Sequence, residues 1–295
     1  MIYEKEGSLY YAFDNETVRI DAWGKDAVRV RATRNHGFTA HDWALDAADR
    51  GQGQITLHED AGAGGQVYAN MYSGKNLSNG MLENGRIRVE VNADGVLSFY
   101  NQKDRLLLQE NWRRLRDEPS MALDIPGREY KVAAGDCFAT TVRFHGRDEE
   151  KIFGMGQYQQ KYLNMKGCML ELAQRNSQVS VPFYVSSIGY GFLWNNPAVG
   201  RVAFGMNGTE WHAECTRQID YLVIAGDTPA QIEETYMSLT GRAPMMPEYG
   251  LGFWQCKLRY QTQEQLLTVA RKYKELGLPL DVIVADFFHW TQQGE

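Results

Sequence analysis

Apolar and polar residues alternate with a period of two through most of residues 1–226. Segments 17–22, 27–32, 85–91, 96–100 and 140–144 do so, and so do 181–186, 191–195, 201–205 and 221–225. Alternation puts every second side chain on one face of an extended strand, so each segment can bury one face and wet the other. Turn signals separate them: Asn15, Gly24-Lys25-Asp26, Asn92-Ala93-Asp94-Gly95 and Gly146-Arg147-Asp148. Segments 86–91 and 96–100 around Ala93-Asp94-Gly95 predict a hairpin. No helical period persists beyond a turn or two here. Many short strands at this spacing predict an antiparallel β-sandwich.

The pattern changes at Gly226-Asp227-Thr228-Pro229. Thr228 can cap a helix whose first position is Pro229, where a missing N–H costs nothing. Ile232, Tyr236 and Leu239 then recur at helical spacing, and Gly241 ends the run. Residues 242–249, with Pro244 and Pro247, read as a linker. Beyond it the order is strand, helix, strand. Residues 250–255 predict a short buried strand. Thr262 caps a helix whose apolar face is Leu266, Leu267, Val269, Ala270 and Tyr273, and Gly277 closes it. Residues 280–285, LDVIVA, form a nearly unbroken apolar run, as in a parallel strand covered on both faces. The expected layout is a sandwich with a short helix over 1–241, a linker over 242–249, and a βαβ unit over 250–295. One βαβ unit cannot bury its own faces. It either leans on the sandwich or belongs to a larger barrel.

Composition narrows the function classes. The chain has 295 residues, is 43% hydrophobic and 23% charged, and carries a formal net charge of -6. Such acidity argues against nucleic acid or an anionic membrane as partner, since both select for clustered Lys and Arg. No stretch approaches the roughly 20 apolar residues of a membrane helix, and the charged N-terminus MIYEKEGSLYYAF does not resemble a signal peptide. A cytoplasmic location is the expectation, with the oligomeric state left open. Cys137, Cys168, Cys215 and Cys256 are widely spaced with no Cys/His cluster, so buried reduced thiols are expected, with no metal and no cofactor. The 12% aromatic content suits β-sheet cores first and sugar-stacking surfaces second.

Candidate chemistry gathers at the last strand. Asp286 follows an apolar run and precedes Phe287-Phe288-His289-Trp290. A carboxylate at the carboxyl end of a parallel strand sits where barrel enzymes hold substrate. Such a carboxylate accepts from sugar hydroxyls while rings cover the apolar sugar face, although an Asp capping the next loop reads equally well. A lone His such as His289 is more often structural than catalytic. Trp254, Lys257, Leu258, Arg259 and Tyr260 end the preceding strand, as pocket wall or as loop packing. Residues 167–182 form a polar loop with Glu171, Gln174, Arg175, Asn176 and Gln178, for which a solvated surface is the simpler reading. Gly154-Met155-Gly156 lacks the third glycine and the following helix of a dinucleotide loop.

FGMGQYQQ (153–160), LAQRNSQVSVPFYVSSIGYGFLWNNP (172–197), GLGFWQCKLRYQTQEQL (250–266) and LPLDVIVADFFHWTQQGE (278–295) resemble glycoside hydrolase family 31, most of all its α-xylosidase-like bacterial members. The resemblance is dense over the second half of the chain and architectural over the first. It implies a galactose-mutarotase-like β-sandwich followed by a (β/α)8 TIM barrel of which this chain holds the first βαβ unit. It further implies retaining hydrolysis of terminal α-linked xylose or glucose by two carboxylates. Both belong to later barrel strands in the family, so no nucleophile or acid/base is expected here, and the 295-residue chain alone is expected to be inactive. Asp286 matches the family's second-strand aspartate, which binds sugar hydroxyls, with Phe287, Phe288, Trp290 and Trp254 as pocket wall. Leu258 stands where relatives carry an aromatic. Asn176, after Arg175, stands where many carry an Asp on a sandwich loop reaching the pocket; an amide keeps the hydrogen bonding without the charge. With the family in view, a substrate role for that loop becomes the favoured reading. The expected partner is an oligosaccharide or glycoside. A non-catalytic carbohydrate-binding sandwich and a structural or assembly role are the alternatives.

Overall fold

The computed structural model describes residues 1–46, 50–59, 77–114, 124–287, 289–290 and 292. The chain divides into two compact units, Met1–Gly241 and Arg242–Glu295.

Among the described residues, the first unit is built from three large antiparallel sheets and a two-stranded ribbon that pairs Arg113–Arg114 with Asp124–Ile125. The largest has eight strands in the spatial order Ile2–Lys5, Ser8–Phe13, Glu16–Trp23, Ala27–Thr33, Ile219–Ala225, Tyr190–Trp194, Val179–Ser186 and Ile152–Gln157. A five-stranded sheet runs Arg128–Val132, Phe138–His145, Gly208–Thr216, Gly200–Phe204 and Met169–Leu172. A second five-stranded sheet is a plain meander of Gln54–Glu59, Leu77–Asn84, Ile87–Asn92, Leu97–Asn101 and Leu106–Gln109. The hairpin expected in this meander forms, its turn clipped by Asn92, whose Oδ1 accepts from the N–H of Asp94 at 3.0 Å and of Val96 at 2.9 Å. All three sheets contribute to one apolar core. Its densest part is aromatic. Phe192 lies 5.0 Å from Trp211 and 5.1 Å from Tyr221 in stacked pairs, while Phe144 meets Phe192 and Tyr221 edge-on at 5.5 and 5.6 Å. Burying each such ring contributes about 1.5–3 kcal/mol. A large share of the aromatic content is therefore spent on core packing.

Helix α1 (Pro229–Thr240) packs through Ile232 and Leu239 into a second apolar cluster with Trp23, Phe183, Leu193 and Leu222. Tyr236 stacks on Phe183 with ring centres 3.9 Å apart. Thr228 caps this helix by accepting from the Gln231 N–H at 3.3 Å. Gln231 returns the bond, its Oε1 accepting from the Asp227 N–H at 2.9 Å.

The second unit is a right-sized βαβ element: strand Trp254–Lys257, helix α2 (Gln263–Glu275) and strand Val282–Ala285, the two strands parallel. It differs from expectation in two ways. The first strand starts at Trp254 rather than at residue 250, because residues Glu248–Leu251 turn as a 3-10 helix behind Pro247. Neither strand is fully covered: the first is mostly exposed and the second half-buried. Within this unit and among its described residues, each strand has one strand neighbour, and α2 is the one helix beside them.

Two further expectations change. Residues 167–182 are not one long loop: strand Met169–Leu172 and the start of strand Val179–Ser186 occupy half of them, because Leu170 and Leu172 alternate inward against exposed Met169 and Glu171. The four cysteines are free, as expected of reduced thiols, but none is buried: Cys137 and Cys168 are half-buried, Cys215 and Cys256 exposed, since all lie at strand ends or edges. The triplet Gly154-Met155-Gly156 is a β-bulge within a strand, with φ of 123°, 72° and 90°.

Candidate functional site

The parallel pairing sets Cys256 opposite Val284 and Lys257 opposite Ala285. Alternation along both strands then puts Trp254, Cys256, Val284 and Asp286 on one face of the ribbon. Gln255 lies on the other face, where its Oε1 accepts from the Tyr273 hydroxyl of α2 at 2.6 Å. Asp286 thus ends its strand on the face turned away from the helix. Its Oδ2 accepts from the Cys256 thiol at 3.3 Å, and its Oδ1 from the Phe287 N–H at 2.7 Å. The Phe287 N–H and the Cys256 thiol hold the Asp286 carboxyl below its ordinary pKa, so at neutral pH it is an ionised acceptor. Each carboxylate oxygen accepts one of these bonds and has capacity for a second, enough to receive two hydroxyls.

The residues after Asp286 form an aromatic turn. Phe287 and Trp290 meet edge to face at 6.1 Å, and His289 lies 4.8 Å from Trp290. His289 donates through Nδ1 to the Asp286 carbonyl at 2.8 Å, because a carbonyl can only accept; the imidazole clips the turn. Phe288 lies outside the described residues. Trp254 is 51% exposed, its indole N–H bonded to the Gly250 carbonyl at 3.2 Å. Leu258, directly after the first strand, is 62% exposed. Lys257, Arg259 and Tyr260 instead line a groove of about 680 Å³ with the first turns of α2, and neither Asp286 nor Leu258 belongs to it.

Arg175 and Asn176 belong to the first unit. They occupy the turn that carries the chain from one sheet to another, between strands Met169–Leu172 and Val179–Ser186. Gln174 holds this arch from inside, accepting from and donating to the Ser180 backbone at 3.0 and 2.8 Å. The Arg175 guanidinium forks onto Glu171 at 2.8 and 2.6 Å. Asn176 is at the exposed tip, followed by Ser177 at φ 64°.

Sequence reading missed two residues in the second unit. Cys256 was passed over as one of four scattered cysteines, and only the strand register brings it to Asp286. Asp281 accepts from the Phe253 N–H at 2.8 Å and so ties the start of one strand to the head of the other. Its only signal is a charge inside LDVIVA. Among the described residues, no group of three or more His, Cys, Asp or Glu is placed to hold a metal ion. No helix among them is long and apolar enough to cross a membrane.

Residues 243–295 match the family profile described as the glycosyl hydrolases family 31 TIM-barrel domain. Over 99% of this chain, a protein of Pseudescherichia vulneris described as an uncharacterized family 31 glucosidase, ORF2, is 43% identical; the match covers 54% of that protein. Alpha-xylosidase A of Aspergillus niger is 31% identical over 95% of this chain and 38% of its own length. The crystal structure of a GH31 alpha-xylosidase from a soil metagenome, complexed with xylose, superposes with a TM-score of 0.86 at 44% identity, over 100% of this chain and 42% of that one. The chain therefore spans about half the length, or less, of the relatives it matches.

Proposed function

This chain belongs to glycoside hydrolase family 31, and from that premise we propose that it supplies part of the sugar-binding site of a retaining, exo-acting α-glycosidase for terminal α-linked xylose or glucose. The observation that carries the reading is Asp286. It is an ionised carboxylate at the carboxyl end of a parallel strand, on the face away from the helix, with free acceptor capacity, Trp254 on the same ribbon face and Phe287 and Trp290 just after it in the chain. Its role is to accept hydroxyls of the sugar being cleaved. A carboxylate held below its ordinary pKa makes a poor general acid, which suits binding rather than proton transfer. The attacking carboxylate and the acid/base belong to barrel strands outside these 295 residues. The relation of units 1–241 and 250–295 as sandwich domain and barrel start, joined by a linker over 242–249, is part of the same proposal. So is a substrate-facing role for Asn176 at the tip of its arch.

The test uses the full product of the reading frame that contains this chain, assayed on aryl α-xyloside and aryl α-glucoside. Asp286→Ala removes two charge-assisted hydrogen bonds, so kcat/KM falls by about 10²-fold or more. A variant with unchanged kcat/KM overturns the assignment. The 295-residue chain by itself releases no aglycone from either substrate, and measurable turnover refutes that expectation.

A further inference from the structure

Two of the four cysteines meet within the first unit. Cys137 directly precedes strand Phe138–His145, and Cys215 is the last residue but one of strand Gly208–Thr216, its antiparallel neighbour. Phe138 pairs with Thr216, so continuing the ladder by one residue sets Cys137 opposite Arg217 and diagonal to Cys215, on the same side. The register then slips: Thr140 pairs with Ala213, so Glu214 and Cys215 together lie against Ala139. Such a bulge bends its strand and sharpens the local twist. Both thiols line one open cavity of about 330 Å³. Cys137 is half-buried there and Cys215 exposed.

The backbone under both thiols is clamped. The Cys137 N–H donates to the Ala134 carbonyl at 3.0 Å, and its carbonyl accepts from the Ala133 N–H at 3.1 Å. Asn35 Nδ2 donates to the carbonyls of Asp136 and Arg217 at 2.9 and 3.2 Å and so bridges the two segments. The Arg217 guanidinium takes the Asp136 carboxylate at 2.9 Å across the same gap. Hydrogen bonding with the Cys215 sulfur pushes the Cys137 thiol above its ordinary pKa, with burial and Asp136 acting in the same sense and Arg217 against them. Cys137 therefore holds its proton while the exposed Cys215 meets solvent. The other two cysteines are placed differently: Cys168 packs against the apolar core, and the Cys256 thiol donates to Asp286.

We infer that Cys137 and Cys215 are a paired-thiol modification site, closed to a disulfide by exchange with a low-molecular-weight disulfide. Cys215, the accessible member, attacks first as its thiolate. The S–S bond of the small disulfide breaks, one half stays on Cys215 as a mixed disulfide, and the other leaves as a thiolate that takes a proton from water. Cys137 then loses its proton to water and attacks the Cys215 sulfur. The Cys137–Cys215 bond forms and the second half of the reagent is expelled as a thiolate. Two protein thiols are oxidised, one small disulfide is reduced to two thiols, and nothing else is consumed. Arg217, opposite Cys137, favours the thiolate that the second step needs. A diagonal pair lies at the long end of the span a disulfide bridges, so the bond is readily reduced again.

The 295-residue chain is treated under native conditions with oxidised glutathione, quenched with N-ethylmaleimide, digested without reductant and mapped by mass spectrometry. The expected product is a peptide pair joined through Cys137 and Cys215, two hydrogens lighter than the reduced peptides together. Dithiothreitol returns both to alkylatable thiols. In a urea-unfolded chain the joined pair is less abundant by about tenfold or more, because only the strand register brings the thiols together. Cys137→Ser, a near-isosteric change at a strand end, leaves Cys215 as the glutathione mixed disulfide, since the resolving thiol is gone. Three results overturn the inference: Cys137 and Cys215 recovered as separate adducts or both alkylated, a joined pair no more abundant in the folded chain than in the unfolded one, or a Cys215 that stays unmodified in Cys137→Ser.

Discussion

The buried charges of the sandwich are single residues with large consequences. Arg29 lies in the sheet with no exposed side-chain surface, between Asp220 and Asp42. Burial pushes the Asp220 carboxyl above its ordinary pKa, and Arg29 works against that push, itself held more firmly protonated than a free arginine. Removing the cation alone strands two carboxylates, one fully buried. Arg29→Met is therefore expected to lower unfolding free energy by about 3–5 kcal/mol, read from urea unfolding. Asp21 behaves differently. Burial raises its pKa, but the Ser8 hydroxyl at 2.6 Å and the Arg31 guanidinium at 2.7 Å more than offset this and hold it below the ordinary carboxylate value. The native state then binds fewer protons than the unfolded chain. The stability Asp21 contributes is complete above the unfolded pKa of about 3.9 and is lost as pH falls through the lower folded value. Asp21→Asn should lie below the parent in melting temperature at pH 7 and approach it in the acid limb. At this scale Asp286 was legible in the chain, because a charge ending an apolar run stands out. Its partner Cys256, 30 positions earlier, was not, because hydrogen bonding between strands follows register rather than sequence distance.

Among the elements, both helices start with the same device. Thr262 accepts from the Gln265 N–H at 3.3 Å, and Gln265 accepts from the Gln261 N–H at 2.9 Å, repeating what Thr228 and Gln231 do for α1. Thr262→Ala costs about 1 kcal/mol of helix stability. Helix α2 ends with the Leu278 N–H on the Tyr273 carbonyl at 3.0 Å and the Gly277 N–H on the Lys274 carbonyl at 3.2 Å, with Gly277 at φ 62°. Nothing lies within 4 Å of a Cβ added at Gly277, so Gly277→Ala costs only the left-handed backbone penalty, about 1–2 kcal/mol. Gly156 has φ 90° and, in addition, the Val179 carbonyl oxygen 2.3 Å from an added Cβ. Gly156→Ala is therefore expected to destabilise more than Gly277→Ala in parallel denaturant titrations, and equal losses would mean that the bulge relaxes. Helix caps could be read directly because they are local chemistry. The arch bearing Arg175 and Asn176 could not, since a polar stretch hides the two alternating leucines of the strand that leads into it.

For the whole molecule, burial is uneven. Strands Ala27–Thr33 and Ile219–Ala225, at the centre of the eight-stranded sheet, are buried at every position, whereas α2 contains no buried residue and its two strands are partly exposed. Local opening free energy follows burial and hydrogen-bond protection. Amide exchange should therefore be fastest to complete in strands Trp254–Lys257 and Val282–Ala285 and slowest in the two central strands. The reverse order would show that the second unit is the more stable one. The sandwich itself was legible, as were nearly all of the strands named from alternation. Its division into three large sheets and a two-stranded ribbon was not, because period-two patterning tells which face of a strand is wet but not which strand lies beside it.

Local signals determined, from the sequence alone, the β-rich first part, the change to strand-helix-strand after Pro247, both helix caps, and a carboxylate at a strand's carboxyl end. Each depends on residues a few positions apart, whose preferences act before any tertiary contact forms. Only the tertiary structure decided the Cys256–Asp286 hydrogen bond, the fork of Arg29 between Asp220 and Asp42, and the meeting of Cys137 with Cys215 at one cavity. Arg29 and Asp220 are separated by 191 positions yet bonded at 2.7 Å. A pairing of that kind is set by strand order and register, which no local pattern encodes.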